Sequence, residues 1–148
     1  AAGDAALKRA VVDAGGVEAV VAAMQAYTGV AELQEPGCGA LRSLVAGDAV
    51  CRHAVVDAGG VAAVVVAMLA YTNEAGLQEH GCWALRSVAA GDAACKRAVV
   101  VAGGEAALRN CGSAMQDVSN SALATLKPCL LYDKWCTCCL PRSICRTR

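Results

Sequence analysis

Residues 4–47 and 48–91 of this chain align without a gap at a spacing of 44, and 30 of the 44 positions are identical. The anchors recur in order: Ala10-Val-Val-Asp-Ala-Gly-Gly16 returns as Ala54-Val-Val-Asp-Ala-Gly-Gly60, and Leu33-Gln-Glu35 as Leu77-Gln-Glu79. A third copy opens at Asp92-Ala-Ala-Cys-Lys-Arg-Ala-Val-Val, reaches Gly103-Gly104 and then loses register. Periods of about 40–47 residues mark stacked helical repeats, in which one unit cannot cover its own apolar face and neighbours supply the cover. Such chains bind other macromolecules far more often than they catalyse.

Composition narrows how those units pack. The chain is 57% hydrophobic but only 3% aromatic, with no Phe. Its core must be built from Ala, Val, Leu and Met, which favours closely spaced helices. The formal net charge is zero, so nothing steers the whole chain to nucleic acid or to an anionic membrane. The longest apolar run, Ala58 to Tyr71, has 14 residues and falls short of the roughly 20 that span a bilayer. A buried helix accounts for it better.

One copy reads as three helices. In the second, Asp48 is placed to cap a first helix, which passes Cys51 and Val55 and stops at Gly59-Gly60, where left-handed backbone is tolerated. A second, apolar helix runs from Val61 to about Tyr71. Thr72-Asn73 is placed to cap a third, running from Glu74 to about Ala90. On it, Leu77, Gly81, Ala84, Leu85 and Val88 form an apolar stripe, while Glu79, Trp83, Arg86 and Ser87 form a second face. Gly81 in mid-helix costs about 1 kcal/mol against Ala, so a close neighbouring helix is expected there, as at Gly37. For the third copy we expect a diverged helix over 105–115 and another over 119–131, the latter ended or kinked at Pro128.

A short helix, Gly-Gly, an apolar helix, then a long helix carrying Leu77-Gln-Glu-His-Gly-Cys-Trp-Ala-Leu-Arg-Ser87 resembles the armadillo repeat family. The resemblance covers 4–91 and the first helix of a third copy. It implies a right-handed α-solenoid of about three 44-residue repeats (4–47, 48–91 and a degenerate 92–131). Its third helices would line a concave groove that binds an extended protein or peptide segment. Trp83 stands at the family's Trp position and Ser87 at its Asn position; in the first copy these are Gly39 and Ser43. A Trp/Asn ladder is absent, which argues against an importin-like receptor for basic peptides.

The expected groove residues are Glu35, Arg42, Ser43, Glu79, His80, Trp83, Arg86 and Ser87. Trp83 is either a groove-floor contact or packing between copies. The recurring Arg42/Arg86 and Glu35/Glu79 are candidates for a charged ladder, or for an ordinary solvated face with weak salt bridges. His80 is expected at the exposed groove edge. His53 has no suggestive neighbour along the sequence.

Ten cysteines raise metal and redox chemistry. Equivalent cysteines one repeat apart, Cys38/Cys82 and Cys51/Cys95, sit on helices about 8–10 Å apart, too far for a disulfide. We expect them as buried thiols in a reducing, cytoplasmic compartment. Residues 132–148 form a Cys-rich basic tail, expected to be irregular or disordered. Cys129, Cys136, Cys139 and Cys145 are its weak zinc alternative, since only one C-x-x-C is present. Otherwise no cofactor, no metal and no catalytic constellation is expected. The expectation is a non-enzymatic interaction scaffold, with a zinc or thiol module, or a structural subunit docked in a larger assembly, as alternatives. Ala1-Ala-Gly3 matches a repeat end, so we expect a piece of a longer array. Self-association through its N-terminal side is expected with it.

Overall fold

The computed structural model describes residues 2–138, with side chains from 4 to 128. Among these residues there are nine α-helices and one 3-10 turn, and no strand. The helices are α1 (Ala2–Asp13), α2 (Gly16–Ala26), α3 (Ala31–Val45), α4 (Ala49–Asp57), α5 (Gly60–Ala70), α6 (Ala75–Ala89), α7 (Ala93–Val101), α8 (Gly104–Asn110) and α9 (Gln116–Cys138). The described residues are all-α, as the repeat pattern led us to expect. Helices of one kind pack on their equivalents one repeat on: α1 on α4 on α7, α2 on α5 on α8, and α3 on α6 on α9. A single apolar cluster runs through them from Val17 to Leu126.

The Gly-Gly junction repeats three times with little change. Gly15, Gly59 and Gly103 adopt φ of 78°, 79° and 81°, a left-handed conformation that costs glycine nothing. The second glycine serves packing instead. A Cβ on Gly104 would stand 2.8 Å from the Val99 carbonyl oxygen, and one on Gly60 would stand 3.0 Å from that of Val55. Without side chains there, the chain turns back against the helix it has just left. The turn between α4 and α5 is a 70° bend, and no single helix among the described residues is long and apolar enough to cross a membrane.

The mid-helix glycines are explained by methionines. Met24 of α2 lies where a Cβ on Gly37 would be, 2.7 Å from its Cγ, and Met68 of α5 lies equally close to Gly81. Both methionines are buried. The helix-propensity cost is thus offset by dispersion contacts that any larger residue would displace.

A buried glutamine ties the second helix of each full copy to the third. Gln34 Nε2 donates to the Met24 and Tyr27 carbonyls, both at 2.9 Å. Gln78 repeats this 44 residues later, with Met68 at 2.7 Å and Tyr71 at 2.9 Å. The methionine carbonyls lie at helix C-termini without a backbone donor, so the amide supplies what the backbone cannot, while the tyrosine carbonyls also accept from the Val30 and Glu74 amides at 3.1 and 3.2 Å. In the third copy, which has lost the 44-residue register, Ser119 takes the glutamine's place as the fourth residue of α9. There α8 has seven residues against eleven in α2 and α5. Its Leu108 carbonyl accepts from Cys111 Sγ at 3.0 Å and from Ser119 Oγ.

Three sequence expectations need correction. Thr72-Asn73 does not cap α6: Glu74 holds the cap position and no side chain accepts there. Pro128 does not end α9, which absorbs the loss of one backbone donor and runs on to Cys138. Residues 132–138, expected to be irregular, are therefore helical, and 139–148 lie outside the described residues.

The first helices are joined by a carboxylate. Asp48 caps α4, accepting from the Val50 amide at 3.0 Å, and pairs with Arg9 of α1 at 2.8 Å. Cys51 Sγ donates to the same carboxylate at 3.5 Å. One repeat on, Asp92 caps α7 by accepting from the Cys95 amide at 3.0 Å and meets His53 of α4 at 3.1 Å. The scaffold is conserved between the two junctions and the cation is not.

Candidate functional site

The third helices α3 and α6 pack along their length. The stripe Leu77, Gly81, Ala84, Leu85 and Val88 is buried, as its spacing demands. Glu79, Trp83, Arg86 and Ser87 are left at least partly exposed on the other side of α6. Trp83 is half-buried, and two guanidinium groups lie over its ring: Arg86 at 4.8 Å and Arg42 at 5.5 Å from the centroid. Arg86 is three positions along the same helix, whereas Arg42 reaches across from α3. Both distances fall within cation–π range, and for side chains that keep solvent contact such a pair is worth about 0.5–1 kcal/mol.

Arg42 is the hub of this face. Its Nη1 also lies 3.0 Å from His80 Nδ1 and 3.8 Å from Glu79 Oε1. The Glu79 pairing is a weak one, since both partners reach solvent. His80 is half-buried and not simply exposed at an edge: its ring packs beside Gly39, where a Cβ would stand 3.5 Å from the imidazole, in ordinary contact. Lys8 of α1 donates to the Ala46 carbonyl at 2.9 Å, and with Gly39, Arg42, Ser43 and His80 it lines a recess of about 430 Å³.

The remaining expected residues divide. Ser43 Oγ donates to the Gly39 carbonyl at 3.0 Å in its own helix. Ser87 is half-buried beside the Trp83 face. Glu35 stands against Gly76 of α6. The structure therefore brings Arg42, Glu79, His80, Trp83 and Arg86 together and sets Glu35 apart. The tail thiols Cys129, Cys136, Cys139 and Cys145 lie outside the described side chains.

Cys38, Cys51, Cys82, Cys95 and Cys111 are buried free thiols. Burial, with a lesser push from Glu35, raises the Cys38 thiol to about 12. Burial and the neighbouring Cys111 raise Cys82 as well. Cys38 and Cys82, so protonated, are packing groups and not nucleophiles.

Sequence reasoning missed three contacts. The glutamine clamp was visible as a recurring Gln34/Gln78, overshadowed by the charged residue beside it. Tyr71 Oη donates to the Thr28 carbonyl at 2.8 Å, joining two copies. His53 lies against Asp92 and Cys95, a cluster that only the stacking of α4 on α7 assembles. Comparison with protein-family models, curated proteins and solved structures finds no match.

Proposed function

We propose that the chain is an armadillo-like right-handed α-solenoid of three repeats, the last degenerate, that binds another protein or peptide along the α3/α6 face. It acts without catalysis, in a reducing, cytoplasmic setting. The observation that carries this reading is Trp83: half-exposed, ringed by Arg42 and Arg86, and next to the Lys8/Arg42/His80 recess. An aromatic with guanidinium neighbours is the composition of binding hot spots, which favour Trp and Arg. The 44-residue spacing of equivalent helices supports the repeat architecture.

The test uses the chain as bait in native extract, with Trp83→Ala/Arg86→Glu as control. A partner held by the wild-type chain and lost by the control, at equal helicity, supports the reading. A partner retained by both moves binding off this face.

A second reading has its own observation. Leu7 is 68% and Val11 41% exposed on α1, while their equivalents Cys51, Cys95, Val55 and Val99 are all buried. That open face suits side-on docking or self-association. Sedimentation that becomes monomeric on Leu7→Lys supports it; a wild-type monomer at all concentrations removes it.

A further inference from the structure

We propose that His53, Asp92 and Cys95 form a binding site for a divalent cation of the zinc class, bridging the second copy to the third. One donor atom from each of the three lies within 4.8 Å of the others. His53 Nε2 is 3.1 Å from Asp92 Oδ2, and Cys95 Sγ is 4.0 Å from His53 Nδ1. With metal bonds of about 2.0–2.3 Å, tetrahedral ligands stand roughly 3.3–3.8 Å apart. A small rotation of the imidazole therefore brings one of its nitrogens, the carboxylate and the sulfur onto one ion.

The donor set selects the metal. Imidazole nitrogen and thiolate sulfur with one carboxylate oxygen suit zinc and its neighbours, not the hard oxygen-seeking Mg²⁺ or Ca²⁺. Cys95 is wholly buried and closes the site from behind, while His53 and Asp92 are partly exposed and leave an approach from solvent. Water fills the fourth position. The carboxylate is already oriented, because Asp92 Oδ1 accepts from the Cys95 amide. The buried thiol has no surface that a substrate could reach, so these three residues are placed to hold an ion and not to attack a carbonyl.

The upstream junction shows what makes the difference. Asp48 and Cys51 recur there in the same relation, but Arg9 stands where the next copy has His53. A guanidinium has five donors and no lone pair to offer, so that junction is an ion pair and cannot ligate. A single change of residue type within the repeat converts a salt bridge into a ligand set. Binding replaces the Cys95 S–H bond by an S–metal bond and releases the proton to solvent, with no change of oxidation state. Burial, reinforced by Asp92, raises this thiol, with Arg52 pulling it down. Affinity therefore climbs with pH.

The experiment uses the full chain with Cys129, Cys136, Cys138, Cys139 and Cys145 changed to Ser, reduced and stripped of metal, then titrated with Co²⁺. The expected result is one equivalent bound, a thiolate-to-cobalt charge-transfer band, displacement by Zn²⁺, and loss of the band in His53→Arg at unchanged helicity. No stoichiometric binding at micromolar metal overturns the proposal, and so does a band that survives His53→Arg. If that variant loses helicity, His53→Gln supplies the same reading.

Discussion

The junction of α1 with α4 and that of α4 with α7 share a carboxylate cap and a buried cysteine, yet one is closed by Arg9 and the other by His53. Position in the repeat dictates the cap and the thiol, because each finishes a helix start or fills the same narrow space. It does not dictate the third partner, which faces outward and has only to complement a carboxylate. Arginine makes that partnership permanent; histidine is charged only when protonated but brings a lone pair. A repeat protein can thus hold its architecture fixed while changing the chemistry at one seam.

The largest effect should come from what the two full copies hold in common. Gln34→Ala and Gln78→Ala each strand the methionine carbonyl at a helix end, and each is expected to cost about 1–3 kcal/mol in urea unfolding. Near-equal losses would show that the copies are energetically alike apart from the seam. A large inequality would locate the difference in the third helices instead.

Acid unfolding separates the seams directly. The Arg9 hydrogen bond, helped by the Val50 amide, holds Asp48 at about 2. A carboxylate depressed in the folded state is protonated first in the unfolded chain. Its stabilisation is therefore complete above the ordinary value of about 4 and vanishes as pH falls through about 2. Arg9→Ala should move the acid midpoint upward. Asp92 is lowered chiefly by the Cys95 amide, then by the Cys95 thiol, with His53 a smaller influence, so His53→Ala should move it less.

Exchanging the partners sharpens the contrast further. Arg9→His should add a second cobalt equivalent at Asp48/Cys51, measured as a doubled charge-transfer amplitude, with a modest fall in melting temperature. The smallest effect belongs to the exposed pair of Arg109 and Glu105, four residues apart on α8. Arg109→Ala is expected to shift stability by only about 0.3–0.5 kcal/mol.

Much of the architecture was legible because it depends on local chemistry repeated in phase. The Gly59-Gly60 turn, the Asp48 cap, the buried face of α6 and the need for a close neighbour at Gly81 each follow from residue type and spacing. What escaped is what joins copies. Aligning Arg9 with His53 was possible from the repeat, but that both meet the next copy's aspartate depends on the rise between stacked helices. The Arg42–Trp83 contact crosses copies in the same way. At α9 the sequence misled, since Pro128 removes one hydrogen bond and a 23-residue helix has others to continue on.

The glutamine clamp has a consequence for how such a chain can change. Anchoring between the second and third helices is done by a side chain inside the third, so the connectors are relieved of holding themselves in place. Thr28-Gly29-Val30 and Thr72-Asn73-Glu74 already differ at two of three positions around the same clamp. These connectors are where new residues can be written into the molecule, by drift or by design, without rewriting the helices on either side.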